Sequence, residues 1–396
     1  FFRHQNGKHT LVIADSLRAH VAADHYGEVR FREPETTHAR ADEGIREWSH
    51  GAEIQPTRFI QRDFNFEKPR ADMQADAGPA RPLKHQHQAA FDIFDYPGEY
   101  EERGEGQRIA AVRIEEMRHQ FDHFNGEGNA AGLATGGLFK LLEHPRDDQN
   151  QEYLIVEADY RVEESPLESE LATTELIGLR FRAIPSAQIF HPPRLTPKPI
   201  VQGPQTAIVV GPAGDEIHTD KYGRVKVQFH WDRYGKKDQN SSCWIRVSHP
   251  WAGQNWGMIA IPRIGQEVIV EFLEGDPDRP IITGRVYNAD QMPPYALPAN
   301  MTQTGIKTRS TLGGGVANFN EIRFEDKKGA EQVYIHAEKN QDIVVENDET
   351  TNVGHDRTET VGHDETITIH NDRTETVGHN EVVTIGANKA ETVAVA

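Results

Sequence analysis

"TVGHDETITIHNDRTETVGHN", from Thr360 to Asn380, comes close to repeating itself three times. Thr-Val-Gly-His stands at Thr360 and again at Thr376, with Thr-Ile-His-Asn at Thr368 between them. Carried outward at the same spacing, an aliphatic residue falls in register at Val345, Val353, Val361, Ile369, Val377, Ile385 and Val393. The next residue is Gly354, Gly362, Gly378 or Gly386, with Glu346, His370 and Ala394 as the exceptions. Three places past the aliphatic lie Asp348, Asp356, Asp364 and Asp372, then Asn380 and Asn388. So long a run of matches at one position marks a genuine internal repeat.

An eight-residue period matches neither helical spacing, and Gly, Asn, Asp, Thr and Val are poor helix formers. It suits one strand plus its corner. Thr and Val favour the extended part, and Gly with Asn or Asp is expected to supply a positive φ at the corner. The polar residues would face water while the aliphatic plugs a narrow interior. If each octad is one face of a triangular prism, one chain alone makes about two coils with open edges. Three chains wound together close every side. At ~4.8 Å per stacked strand, six octads give a shaft of roughly 30 Å. The repeat therefore predicts a homotrimer with the register aliphatics as its core and Gly354, Gly362, Gly378 and Gly386 at its corners.

His355, His363 and His379 share one repeat position. Threefold symmetry would gather three copies of each into weak candidate metal sites if they pointed inward; the preferred reading is solvated histidines on the outer face.

Composition agrees with a β-rich chain. Its 396 residues include 33 Gly and 22 Pro, and the aromatic share is 8%. The net charge is -19, which disfavours a nucleic acid or an anionic membrane as partner. From Glu331 onward 14 acidic residues face 4 basic ones, a balance of -10 (4 − 14). The single cysteine, Cys243, allows no intrachain disulfide and reads as a buried strand residue. No apolar run reaches the ~20 residues that a membrane helix needs.

Residues 201–288 read as short strands separated by Gly and Pro, the pattern of an OB-fold barrel. "GRVKVQFHW" (Gly223–Trp231) sets Val225, Val227, Phe229 and Trp231 on one face. Trp231, Trp244, Trp251 and Trp256 could form a stacking platform for nucleic acid or sugar; the acidic charge favours instead a role in barrel and interface cores. Residues 1–190 are mixed α+β, with Ala110, Ile114, Met117 and Phe121 on one helical stripe. The strands "QEYLIVEADYRV" and "LIGLRFRAIP" follow it. "FHPPRLTPKPI" ends this part with a Pro-rich connector at 191–200, and a joint at 289–319 precedes the last part. That part, 320–396, opens with a hairpin turning at Lys327-Lys328-Gly329 and continues into the octads.

No nucleophile elbow, His-Glu-x-x-His or Walker pattern is present. His85-Gln86-His87 could at most chelate a metal weakly. No enzyme and no cofactor is expected.

The stretches "DEIHTDKYGRVKVQFHWDR", "SSCWIRV", "WAGQNWG", "PRIGQEVIVEFLEGDPDRPIITGRVYN" and "ANFNEIRFEDKKGAEQVYIHAEKNQD" closely resemble the VgrG family. "FDYPGEY" and "HPRDDQNQEYLIV" are similar to that family's hub domain. The resemblance implies the trimeric spike of the bacterial type VI secretion system, similar to the hub and needle of contractile phage tails. It implies assembly in the cytoplasm and export by the system itself. It also implies a seat on the Hcp tube, a PAAR-type tip and effector cargo. The family's hub begins well upstream, so this chain is expected to lack roughly the first half of it. With only the short joint between barrel and shaft, no wall-degrading activity is expected. A prophage baseplate spike is the alternative of the same shape. An OB-fold glycan or nucleic-acid binding module on a repetitive stalk is the alternative of another class.

Overall fold

Tyr153, Leu154 and Ile155 are consecutive and all buried, so the strand that carries them is covered on both faces. That strand, Glu152–Glu163, is central to the main sheet of the front unit. The computed structural model describes residues 1–22, 24–33, 42–78, 91–163 and 176–394. His85 and His87 lie outside the described residues. The chain divides into two units, Phe1–Pro199 and Ile200–Ala396.

In the first unit the sheet runs Val21–Ala22, Gly137–Leu142, Glu152–Glu163, Leu176–Pro185, Asp122–Gly128, Ile45–Ala52, with Glu28–Arg30 also paired to Gly137–Leu142. A bulge between Ile155 and Glu157 shifts the register of the long strand. Ala158 then packs on the same core as Phe124, Phe139, Tyr153 and Phe181, while the indole of Trp48 lies among these rings. The helix Arg103–Arg118 begins about two turns before Ala110, the first residue of its apolar stripe, and takes in Gly104 and Gly106. Gly106 is required there, because a Cβ would stand 2.5 Å from the ring of buried Tyr100. Ala110 and Ile114 face Phe59 of the three-stranded sheet Ala75–Ala77, Arg58–Gln61, Asp92–Asp95.

In the second unit five strands follow the order Lys226–Phe229, Gln205–Val210, Glu267–Phe272, Pro280–Val286, Arg246–Val247. The antiparallel bridge Val225–Ile245 joins the two outer members and closes the barrel. Small and β-branched side chains fill its bore: Ala207, Val209, Val225, Val227, Ile245, Val268, Val270 and Ile282. No tryptophan enters this core. Trp231 lies past the end of its strand and is 69% exposed, and Trp251 and Trp256 are exposed on a separate two-stranded ribbon. The expectation that the indoles fill the barrel is thus corrected, since a bore lined by residues of valine size has no room for one. Cys243 is likewise exposed rather than buried, because it precedes the strand instead of lying in it.

The lead-in hairpin, Glu321–Glu325 with Gln332–His336, has a third strand: Gln303–Lys307, from within the joint, pairs with Glu321–Glu325. Gly305 allows this approach, for a Cβ would sit 2.5 Å from the Tyr295 hydroxyl and 2.6 Å from the Ile322 carbonyl.

Candidate functional site

Among the described residues the octads show no backbone strand pairing within one chain. Their geometry is nevertheless regular. Bends fall at Glu346-Asn347, Gly354-His355, Gly362-His363, His370-Asn371, Gly378-His379 and Gly386-Ala387, one to each octad. Between bends the chain is extended and exposed.

The register aliphatics stand apart from other apolar side chains nearby. Val345, Val353, Val361, Ile369, Val377 and Ile385 are 45–52% exposed, against 58% for Ile367, 62% for Val383, 71% for Ile343 and 85% for Val382. Each is half covered by its own chain and presents the other half to solvent. Val393, next to the last described residue, is more open.

The corner glycines differ from expectation. Gly354, Gly362, Gly378 and Gly386 are absent from the glycines with positive φ, and a Cβ at each would meet nothing within 4 Å. The turn is made with backbone angles open to any L-residue, which is why Glu346 and His370 occupy the same place in their octads. The expected left-handed corner is therefore corrected.

His355 and His363 lie against the neighbouring carboxylates of Asp356 and Asp364, with Nδ1 to Oδ2 distances of 2.9 Å and 2.8 Å. Their side chains are 92% exposed. His379 is followed by Asn380 and has no such carboxylate next to it. Among the described residues no group of three or more His, Cys, Asp or Glu is placed to hold a metal.

The joint is tied to the barrel by a contact that periodicity does not reveal. The Gly313 amide donates to Glu216 Oε1 at 2.9 Å, and Arg263 donates from Nη2 to the Arg309 carbonyl at 2.9 Å. The Gly313 amide, followed by the Thr311 hydroxyl, holds the Glu216 carboxyl below the usual range. The amide comes from the first glycine of "TLGGG" (311–315), within the joint.

Concavities are present among the described residues of the front unit. One, of about 480 Å³, is lined by Glu47, Ser49, Glu127, Glu157, Asp159, Arg180 and Arg182 among others. Ion pairs Arg180–Glu127 at 2.8 Å and Arg182–Glu157 at 2.7 Å lie along it. Another, of about 240 Å³, contains Glu53, His119, His123 and Arg182. Burial, with Arg182 and His191 adding to it, pushes the His119 imidazole below its usual pKa and favours the neutral form.

Comparison with known proteins agrees with this arrangement of parts. Residues 1–166 match the phage tail baseplate hub family, 205–287 the type VI secretion system/phage-baseplate injector OB domain, and 304–396 the bacteriophage T4 gp5 C-terminal trimerisation domain. The type VI secretion system spike protein VgrG1b of Pseudomonas aeruginosa is 52% identical over 366 residues, covering 91% of this chain and 48% of the relative. The chain is homologous to VgrG spike proteins. VgrG1c of the same organism is 51% identical, over 91% of this chain and 49% of its own. VgrG1a is 51% identical, over 90% of this chain and 55% of its own. The chain thus spans about half the length of the curated relatives it matches. Its fold is mainly β, with an OB barrel followed by octads that match the trimerisation domain.

Proposed function

We propose that this chain is the shaft-bearing part of a homotrimeric, non-enzymatic spike of a type VI secretion system. It caps the Hcp tube, carries a PAAR-type tip and effector proteins, and is driven through a target envelope. It is assembled in the bacterial cytoplasm and exported by the system itself. The observation that carries the reading is the ladder of half-covered aliphatics, one per octad, along octads that make no strand pairs of their own among the described residues. Two further copies would cover the open half of each side chain and satisfy every strand edge. A shaft paired on all sides has no frayed edge from which axial load could unzip it. Its charged exterior avoids lodging in lipid.

The proposed division is a hub-like part at 1–190, connector 191–200, barrel 201–288, joint 289–319 and shaft 320–396. Val345, Val353, Val361, Ile369, Val377, Ile385 and Val393 form the trimer core, with Gly354, Gly362, Gly378 and Gly386 at the corners. His355, His363 and His379 project to solvent in this reading. The phage names of the hub and trimerisation domains favour a second reading, a prophage baseplate spike with the same trimer.

The test replaces Val361 and Val377 together with aspartate in a protein carrying this chain, expressed in a type VI-positive bacterium that lacks its own spike. The expected result is loss of the trimer and of Hcp release into the medium. Export that persists without the trimer would overturn the reading. Export that is retained when the type VI sheath is deleted would select the prophage alternative.

A further inference from the structure

Some octad positions keep one residue type from copy to copy, but two others alternate. Four residues past the register aliphatic stand Glu349, Arg357, Glu365, Arg373, Glu381 and Lys389, so the charge reverses at every step. Two residues further, Glu359, Glu375 and Glu391 alternate with Ile367 and Val383. These two positions share a side of the strand. Arg357 meets Glu359 at 2.9 Å, Arg373 meets Glu375 at 3.0 Å and Lys389 meets Glu391 at 3.5 Å. The aliphatic column therefore repeats with every octad, and the charged side with every second one.

In an intertwined shaft each chain moves on by one face per octad. The strand stacked on one octad is then the following octad of a neighbouring chain, about 4.8 Å away. Equivalent positions of successive octads lie side by side between chains. We propose that the alternating column is a register code between copies of this chain, each Arg or Lys seated between glutamates of the octads above and below. This rests on the trimeric reading.

The columns that keep one residue type cannot set the register. Val353, Val361 and Ile369 exchange freely after a slip of one octad, and so do Asp356, Asp364 and Asp372. The alternating column does not tolerate that slip: cation would lie on cation and glutamate on glutamate, and like charges directly opposite destabilise a strand pair. Only a slip of two octads restores the match, and it leaves two layers without their full set of strands.

The test uses two full-length chains. Both carry Glu359→Gln, Glu375→Gln and Glu391→Gln, which removes the in-strand pairs. One has no other change. The other adds Glu349→Arg, Glu365→Arg, Glu381→Arg, Arg357→Glu, Arg373→Glu and Lys389→Glu, which inverts the column and preserves its alternation. Each alone is expected to form a trimer. When the two are refolded together with different tags, native mass spectrometry should find mixed trimers reduced from about three quarters, the statistical share for a closed trimer, to under about a tenth. Refolding at ~1 M salt should bring mixing back, because screening removes the penalty. Statistical mixing at low salt overturns the register code and leaves the trimer standing, as does an inverted chain that cannot trimerise alone. Monomers of both chains overturn the trimeric reading and the code with it.

Discussion

Gly362 and its equivalents show how a residue's identity can mislead about its angles. A glycine at a sharp corner suggests a left-handed backbone, yet these four adopt angles any residue can take, and His370 does so in the same place. Gly362→Ala should therefore leave the shaft at least as stable, by up to about 1 kcal/mol through lost freedom of the unfolded chain. A thermal melt of the assembled protein checks this; a drop of several degrees would restore the left-handed corner. His119 acts in the opposite sense. Its folded pKa lies below the ordinary 6.5, so the unfolded chain takes up the proton first. Its contribution is fully present above about 6.5 and is lost as pH falls from there toward the depressed folded value. Denaturant midpoints at pH 7.5 and 5.5 should differ less in His119→Gln than in the parent, by at most about 1.4 kcal/mol per pH unit.

At the scale of elements, the strands of the barrel and of the main front sheet are legible in the sequence because alternation reports burial directly. "GRVKVQF" and "QEVIVEF" place Val225, Val227, Val268 and Val270 in the bore, where the structure has them. The same rule fails at Trp231, because alternation continues in the letters after the strand itself has ended. The strand Gln303–Lys307 is less legible still. Its five residues "QTGIK" carry a glycine whose reason is the close approach of Tyr295 and Ile322, a contact between distant parts of the sequence. The clamp of Glu216 on Gly313 is hidden for the same reason. The barrel's dependence on its bore is open to test by Ile282→Ala, which removes buried methyl groups from a packed site. It should cost about 2–5 kcal/mol in chemical denaturation. A cost below ~1 kcal/mol would mean that the bore is loosely filled.

At the scale of the whole molecule, the octads are the most legible part of the sequence and the least complete part of a single chain. Periodicity gives the one bend per octad that the structure shows, while in the proposed trimer the strands that would finish the shaft belong to other copies. The half-exposed valines are where that incompleteness shows. Placing a carboxylate on that ladder, as Val361→Asp with Val377→Asp does, would bury three unpaired charges per layer at several kcal/mol each. The double variant should accordingly sediment as monomer. The most direct measurement is the solution mass of the unmodified chain by light scattering at low concentration. A mass near three times 44.6 kDa is the result expected of octads that need two further copies to cover Val345 through Ile385. A mass of 44.6 kDa, unchanged on concentration, would contradict the trimeric shaft and the spike built on it.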